Sequence, residues 1–175
     1  MTPNIDISIW EQAWRYLLPY LFIVLLFSLE MINYPILYLI DIKPFFVLMS
    51  VYFWTIFRPK LFPIYIIFSI GIIIDLLMGY PLGISSILFI IINWSIIGQR
   101  RFLMGVPYYI LWFLFSIICI IFGGIQWGIL GLINFEWSSY FPVLISTITS
   151  ILLFPPIAVI LILVHKLLPI EKHEH

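Results

Sequence analysis

Apolar stretches separated by short polar clusters run through the whole chain. The stretches cover about 16–31, 44–57, 61–78, 82–97, 106–125 and 141–164. Glu30, Asn33 and Pro35 close the first, and Arg58-Pro59-Lys60 closes the second. Gly79-Tyr80-Pro81-Leu82-Gly83 is a tight turn after the third, because Pro fixes φ and Gly tolerates positive φ. Gln99-Arg100-Arg101 follows the fourth, and Asn134 to Ser139 the fifth. A transmembrane helix needs about 20 apolar residues, so the pattern predicts six crossings joined by short loops. Ser8 and Glu11 fit a capping box, predicting a short surface helix that feeds into the first span with Trp10 and Trp14 at headgroup depth. Tyr34 to Lys43 reads as a loop with an apolar middle. The second span, at about 14 residues from Pro44, is short for a bilayer. The glycines at 123, 124, 128 and 131 are expected to loosen the chain, and Pro155-Pro156 to kink or break the sixth span.

Composition excludes the soluble classes. Of 175 residues, 64% are hydrophobic and 9% charged, against roughly 45–50% and about 25% in soluble domains. Mean hydropathy is +1.20. The expected fold class is all-α: one polytopic six-helix membrane domain over 1–175. Eight basic and eight acidic residues balance, which leaves no electrostatic footprint for nucleic acid. Cys119 is the single cysteine and cannot form an internal disulfide. The N-terminal segment lacks the small-residue cleavage site of a signal peptide, so the first span is expected to stay as an anchor. With the N-terminus inside, cytoplasmic segments hold Arg15, Arg58, Lys60, Arg100, Arg101, Lys166 and Lys172, and outer segments hold Lys43 alone. That asymmetry places both termini in the cytoplasm. Trp54, Trp94 and Trp112 then fall near inner ends, and Trp127, Trp137 and Tyr140 near outer ends.

Asp75 is the most informative residue, because a carboxylate at membrane depth is costly unless paired or wetted. Gly71, Asp75 and Gly79 recur every four residues and share a helix face. Two roles fit and can coexist. The face can dock another helix, with glycines permitting close approach around a polar anchor. Alternatively, Asp75 caps the Gly79–Gly83 turn or bonds a neighbouring helix of its own bundle. Glu30 sits at an interface within reach of water. Asn93 reads as a hydrogen-bonding link between helices. Ser146 and Ser150, with Thr147 and Thr149, form a small polar seam, internal or intermolecular. Gly124-x-x-x-Gly128 is a weak packing motif. Arg58, Lys60, Arg100 and Arg101 read as topology determinants and lipid-headgroup contacts. Enzyme classes fail on inventory, so no catalytic residue, cofactor or metal site is expected. His165, His173 and His175 all lie at one end, and no zinc, CxxC or phosphate-loop motif occurs.

The series Lys43-Pro44, Phe53-Trp54, Pro59 and Gly71-x-x-x-Asp75-x-x-x-Gly79-x-Pro81-Leu82-Gly83 resembles MreD, the rod shape-determining membrane protein family of bacteria. The likeness is specific between Lys43 and Gly83. Members often have Tyr-Trp where this chain has Phe53-Trp54. The resemblance implies a six-helix fold similar to the substrate-binding subunits of energy-coupling-factor transporters. It also implies a non-catalytic inner-membrane scaffold of the elongation machinery. The implied partner is MreC, with MreB, RodA and a class B penicillin-binding protein connected indirectly, in a setting of membrane lipids. Within the matching stretch Gly71, Asp75, Gly79, Pro81 and Gly83 are the expected partner-binding or packing residues; Glu30 and Asn93, read from the residues alone, are the intramembrane polar groups. Two alternatives stand beside the scaffold. One is a small-molecule-binding membrane subunit of a transporter, disfavoured by the scarcity of polar groups at the midplane. The other is a lipid-handling protein.

Overall fold

Each apolar stretch forms a helix in the computed structural model, which describes residues 9–32, 34–35, 41–135 and 139–167. The helices are α1 (Ile9–Glu30), α2 (Phe46–Phe57), α3 (Ile64–Met78), α4 (Ile84–Gly105), α5 (Tyr108–Asn134) and α6 (Phe141–Leu167). A two-residue antiparallel pair, β1 (Tyr34–Pro35) with β2 (Asp41–Ile42), closes the excursion between α1 and α2, with Tyr34 opposite Ile42 and Pro35 opposite Asp41. The expected loop at Tyr34–Lys43 is therefore partly a strand pair. Ser8, Asn33, Glu136, Trp137, Lys172, His173 and His175 lie outside the described residues, as do the side chains of Trp10, Glu11 and Trp14.

Three helices are long and apolar enough to cross a membrane by length and composition: Ile84–Gly105, Tyr108–Ile133 and Phe141–Lys166. Three shorter apolar helices accompany them, at Leu17–Glu30, Phe46–Phe57 and Ile64–Met78.

α2 is the centre of the molecule. Phe46 to Ile56 are all buried, and the helix packs against α1, α4, α5 and α6. The cause is compositional: a helix apolar on every side finds its lowest free energy surrounded. Its 12 residues span about 18 Å, well short of the ~30 Å hydrocarbon core. Trp54 belongs to this core. It is fully buried against Phe62, with ring centroids 6.1 Å apart, and does not sit in a headgroup belt.

The polar break expected at Gln99-Arg100-Arg101, the glycines expected to loosen the chain and the Pro155-Pro156 site of a kink or break all lie inside continuous helices. α4 continues through Gln99-Arg100-Arg101 to Gly105, because one turn of polar residues at the end of an apolar run has no reason to unwind. α5 continues through its glycines to Asn134. α6 continues through Pro155-Pro156. Pro155 has no N–H to give the carbonyl four residues earlier, that of Ile151. Trp112 on α5 supplies the missing donor, with Nε1–H bonding Ile151 O at 2.9 Å. A tryptophan expected near an inner end thus repairs a proline gap in the neighbouring helix.

Candidate functional site

Alternation of the helices gives the bundle two unlike ends. At one end Arg100 Nε–H donates to Ile56 O at 2.7 Å, His165 packs on Phe57 with ring centroids 5.6 Å apart, and Tyr20 O–H donates to Leu61 O at 2.7 Å. Arg100 therefore caps the C-terminal turn of α2, where exposed carbonyls favour a cation. At the other end stand Glu30, Lys43, Asp75, Tyr80, Ser85 and Gln126.

Asp75 is buried completely. Its carboxylate accepts from Gly83 N–H at 2.8 Å and from Ser85 N–H at 3.1 and 3.3 Å. These are first-turn amides of α4, which have no partner inside their own helix. The residue at the start of α4, Gly83, has no side chain to cap with, so the acceptor comes from α3. The turn brings them together. Gly79 ends α3 at φ +70°, and Gly83 begins α4 at φ +104°. Both values favour glycine. Gly79 N–H and Tyr80 N–H both return to Asp75 O, so Asp75 serves the turn with backbone and side chain alike. Pro81 and Leu82 form its crest, and Leu82 is exposed.

Gly71 performs the close approach that its spacing suggested, and it does so within the chain. A Cβ there would lie 2.6 Å from Ser86 N, where α4 crosses α3. Ser86 O–H donates to Phe68 O at 3.1 Å across the same contact. At Gly79 a Cβ would meet nothing within 4 Å, so that glycine is there for its dihedral. The same holds of space at Gly124 and Gly128, whereas at Gly123 a Cβ would lie 2.9 Å from Thr147 Oγ1. The α5–α6 approach is therefore at Gly123.

Glu30 does for α2 what Asp75 does for α4. It is buried, and its Oε2 accepts from Val47 N–H at 2.8 Å. The Phe46 amide beside it donates to Pro44 O at 2.9 Å. Two further amides entering α2 go to the seam on α6: Lys43 N–H donates to Ser146 Oγ at 3.3 Å and Phe45 N–H to Ser150 Oγ at 2.8 Å. Asn93, on α4, accepts from Thr55 Oγ1–H at 3.1 Å, which links α4 to α2. Sequence reasoning missed that Glu30 and Arg100 close the two ends of one helix. The available signal was the helix itself, too short to carry its termini to water.

Glu30, Lys43, Tyr80, Ser85 and Gln126 also line a cavity of about 30 Å³, with Phe45, Phe89 and Phe122 among its apolar walls. Lys43 Nζ lies 3.6 Å from Met78 Sδ. Burial, and after it the charges of Glu30 and Asp75, push the Tyr80 phenol above its ordinary value. Tyr80 is therefore a neutral hydroxyl. No group of three or more His, Cys, Asp or Glu side chains arranged to hold a metal occurs among the described residues.

Comparison of the chain with protein-family models, with curated proteins and with solved structures returned no match.

Proposed function

We propose that the chain is a non-catalytic scaffold of the MreD type. In this reading its six helices are six crossings of the bacterial inner membrane, arranged like the substrate-binding subunits of energy-coupling-factor transporters. Both termini face the cytoplasm. The scaffold binds MreC and through it supports rod shape and lateral peptidoglycan synthesis. One observation carries the reading: Glu30, Asp75, Asn93 and Arg100 are turned onto the chain's own backbone and side chains. Glu30 and Asp75 cap α2 and α4, Arg100 caps α2, and Asn93 meets Thr55. The sides are left apolar, with Ile73, Leu76, Leu77, Ile87, Ile91 and Trp94 exposed. A bundle so arranged meets partners through helix contacts in the bilayer. The motif from Lys43 to Gly83 and the seven-to-one distribution of basic residues support the family and the orientation. The cavities at Tyr80 and between α4 and α5, about 30 and 160 Å³, fall below the ~300–1,000 Å³ of small-molecule sites, which weighs against a transporter subunit.

Gly71 and Asp75 then act from behind. They hold the α3–α4 hairpin whose outward residues Ile73, Leu76 and Leu77 form the surface offered to the MreC membrane helix. The test is co-expression of tagged chain with MreC, then capture in mild detergent with mass spectrometry of proteins and lipids. MreC is expected with the wild type and is expected to be lost from Gly71→Leu and Asp75→Ala. Absence of MreC from inserted wild type refutes the scaffold. Unchanged recovery with inserted Gly71→Leu, Asp75→Ala and Gly79→Leu refutes the hairpin as the docking element. Compartment-sensitive reporters at each terminus test the orientation, and ends on opposite sides would overturn it.

A further inference from the structure

We infer that the cavity between the ends of α1, α3, α4 and α5 is a binding site for a neutral hydrogen-bonding guest of one or two water molecules. Its volume of about 30 Å³ gives room for about two, since one water needs roughly 10–15 Å³ of probe-occupied space. The lining has the polar partners such a guest requires. Ser85 is fully buried and its Oγ has no hydrogen-bond partner among the described residues. An unpaired buried hydroxyl is costly, and a guest in the cavity removes that cost. Gln126 is 8% exposed and lines the same space. Tyr80 brings a neutral hydroxyl, and Lys43 an ammonium whose contact here is the Met78 sulfur.

The class of guest follows from charge. Glu30 is already occupied by the Val47 amide of α2 and Asp75 by the Gly83 and Ser85 amides of α4. Lys43 is the cation on hand. A further full charge would enter an apolar-walled space whose existing charges already have partners or water access, so a neutral guest fits best. It would join side chains from α1, the α2 approach, the α3–α4 turn, α4 and α5 in one network. The inference does not depend on the scaffold reading, because it needs no partner protein.

X-ray radiolytic footprinting of the full chain in lipid nanodiscs tests it, using oxidation by radicals born from bound water. Phe89 and Phe122 line the cavity and are only 2% and 4% exposed, while Phe115 and Phe154 are equally buried in the apolar core. Phe89 and Phe122 are expected to be oxidised several-fold faster than Phe115 and Phe154. Gln126→Leu, which fills the cavity with an apolar group, is expected to abolish that difference. Ser85→Ala, a smaller change, keeps the test informative if the first variant fails to fold. It removes one partner and is expected to reduce the difference. Equal oxidation of the four rings in the wild type would overturn the inference, as would a difference unchanged in both variants when folded.

Discussion

Asp75 and Glu30 cap the starts of two helices in the same manner, yet their surroundings differ. Asp75 reaches amides eight and ten residues further along, through one glycine-bounded turn, and three contacts to two amides use both its oxygens. Asp75 itself is fully buried. Glu30 reaches an amide 17 residues on, across the β1–β2 excursion, beside a cavity shared with Lys43, Tyr80, Ser85 and Gln126. A short turn positions acid and donors together. A long one leaves a gap that other polar side chains must line. The first arrangement is a closed staple, and the second keeps room for a guest.

Five substitutions put this contrast to the test. Gly71→Leu is expected to have the largest effect, because the new side chain meets Ser86 backbone and α3 cannot close on α4. A loss of about 3 kcal/mol or more is expected, read as failed recovery of monodisperse protein or a steep drop in Tm. Next comes Asp75→Ala, which takes the acceptor from both the Gly83 and the Ser85 amides, at about 2–4 kcal/mol. Glu30→Ala is expected to cost less, about 1–2 kcal/mol, because one amide, that of Val47, loses its acceptor where Asp75→Ala leaves two without theirs. Tryptophan-fluorescence unfolding of both variants in one detergent measures the gap, and equal losses would erase the distinction. The smallest effects are expected from the amide isosteres. Glu30→Gln keeps an acceptor for Val47 and should cost under about 1 kcal/mol, whereas Asp75→Asn loses one of two engaged oxygens and should cost about twice as much. A reversed order would show that Glu30, not Asp75, is the tighter cap.

The same contrast explains what could be read from the chain. Asp75 and its turn lie within nine residues, so their spacing displayed the cap directly. Gly71 displayed a close approach but not its partner, which is Ser86 on the next helix. Glu30, Ser146, Ser150 and Arg100 serve α2 from separations of 17 to 105 residues or 44 residues. Nothing local marks an acid as a cap at that range, and Glu30 read as a wetted interface group. Arg100 read as a topology signal for the same reason. The helical count was legible because apolar length is a local property. The burial of α2 was not, since an all-apolar run looks the same whether lipid or protein surrounds it. Trp112 was assigned by its place in the sequence to an interface, and its bond to the carbonyl freed by Pro155 joins residues 39 apart.

The enclosure of α2 has a consequence for how the polypeptide is made. A 12-residue segment is too brief to partition into lipid unaided while the ribosome is still extending the chain. Its amides wait for hydroxyls on α6, and its last carbonyls wait for a guanidinium on α4. The contacts that complete the wall of α2 can therefore form only once the C-terminal helix has been made.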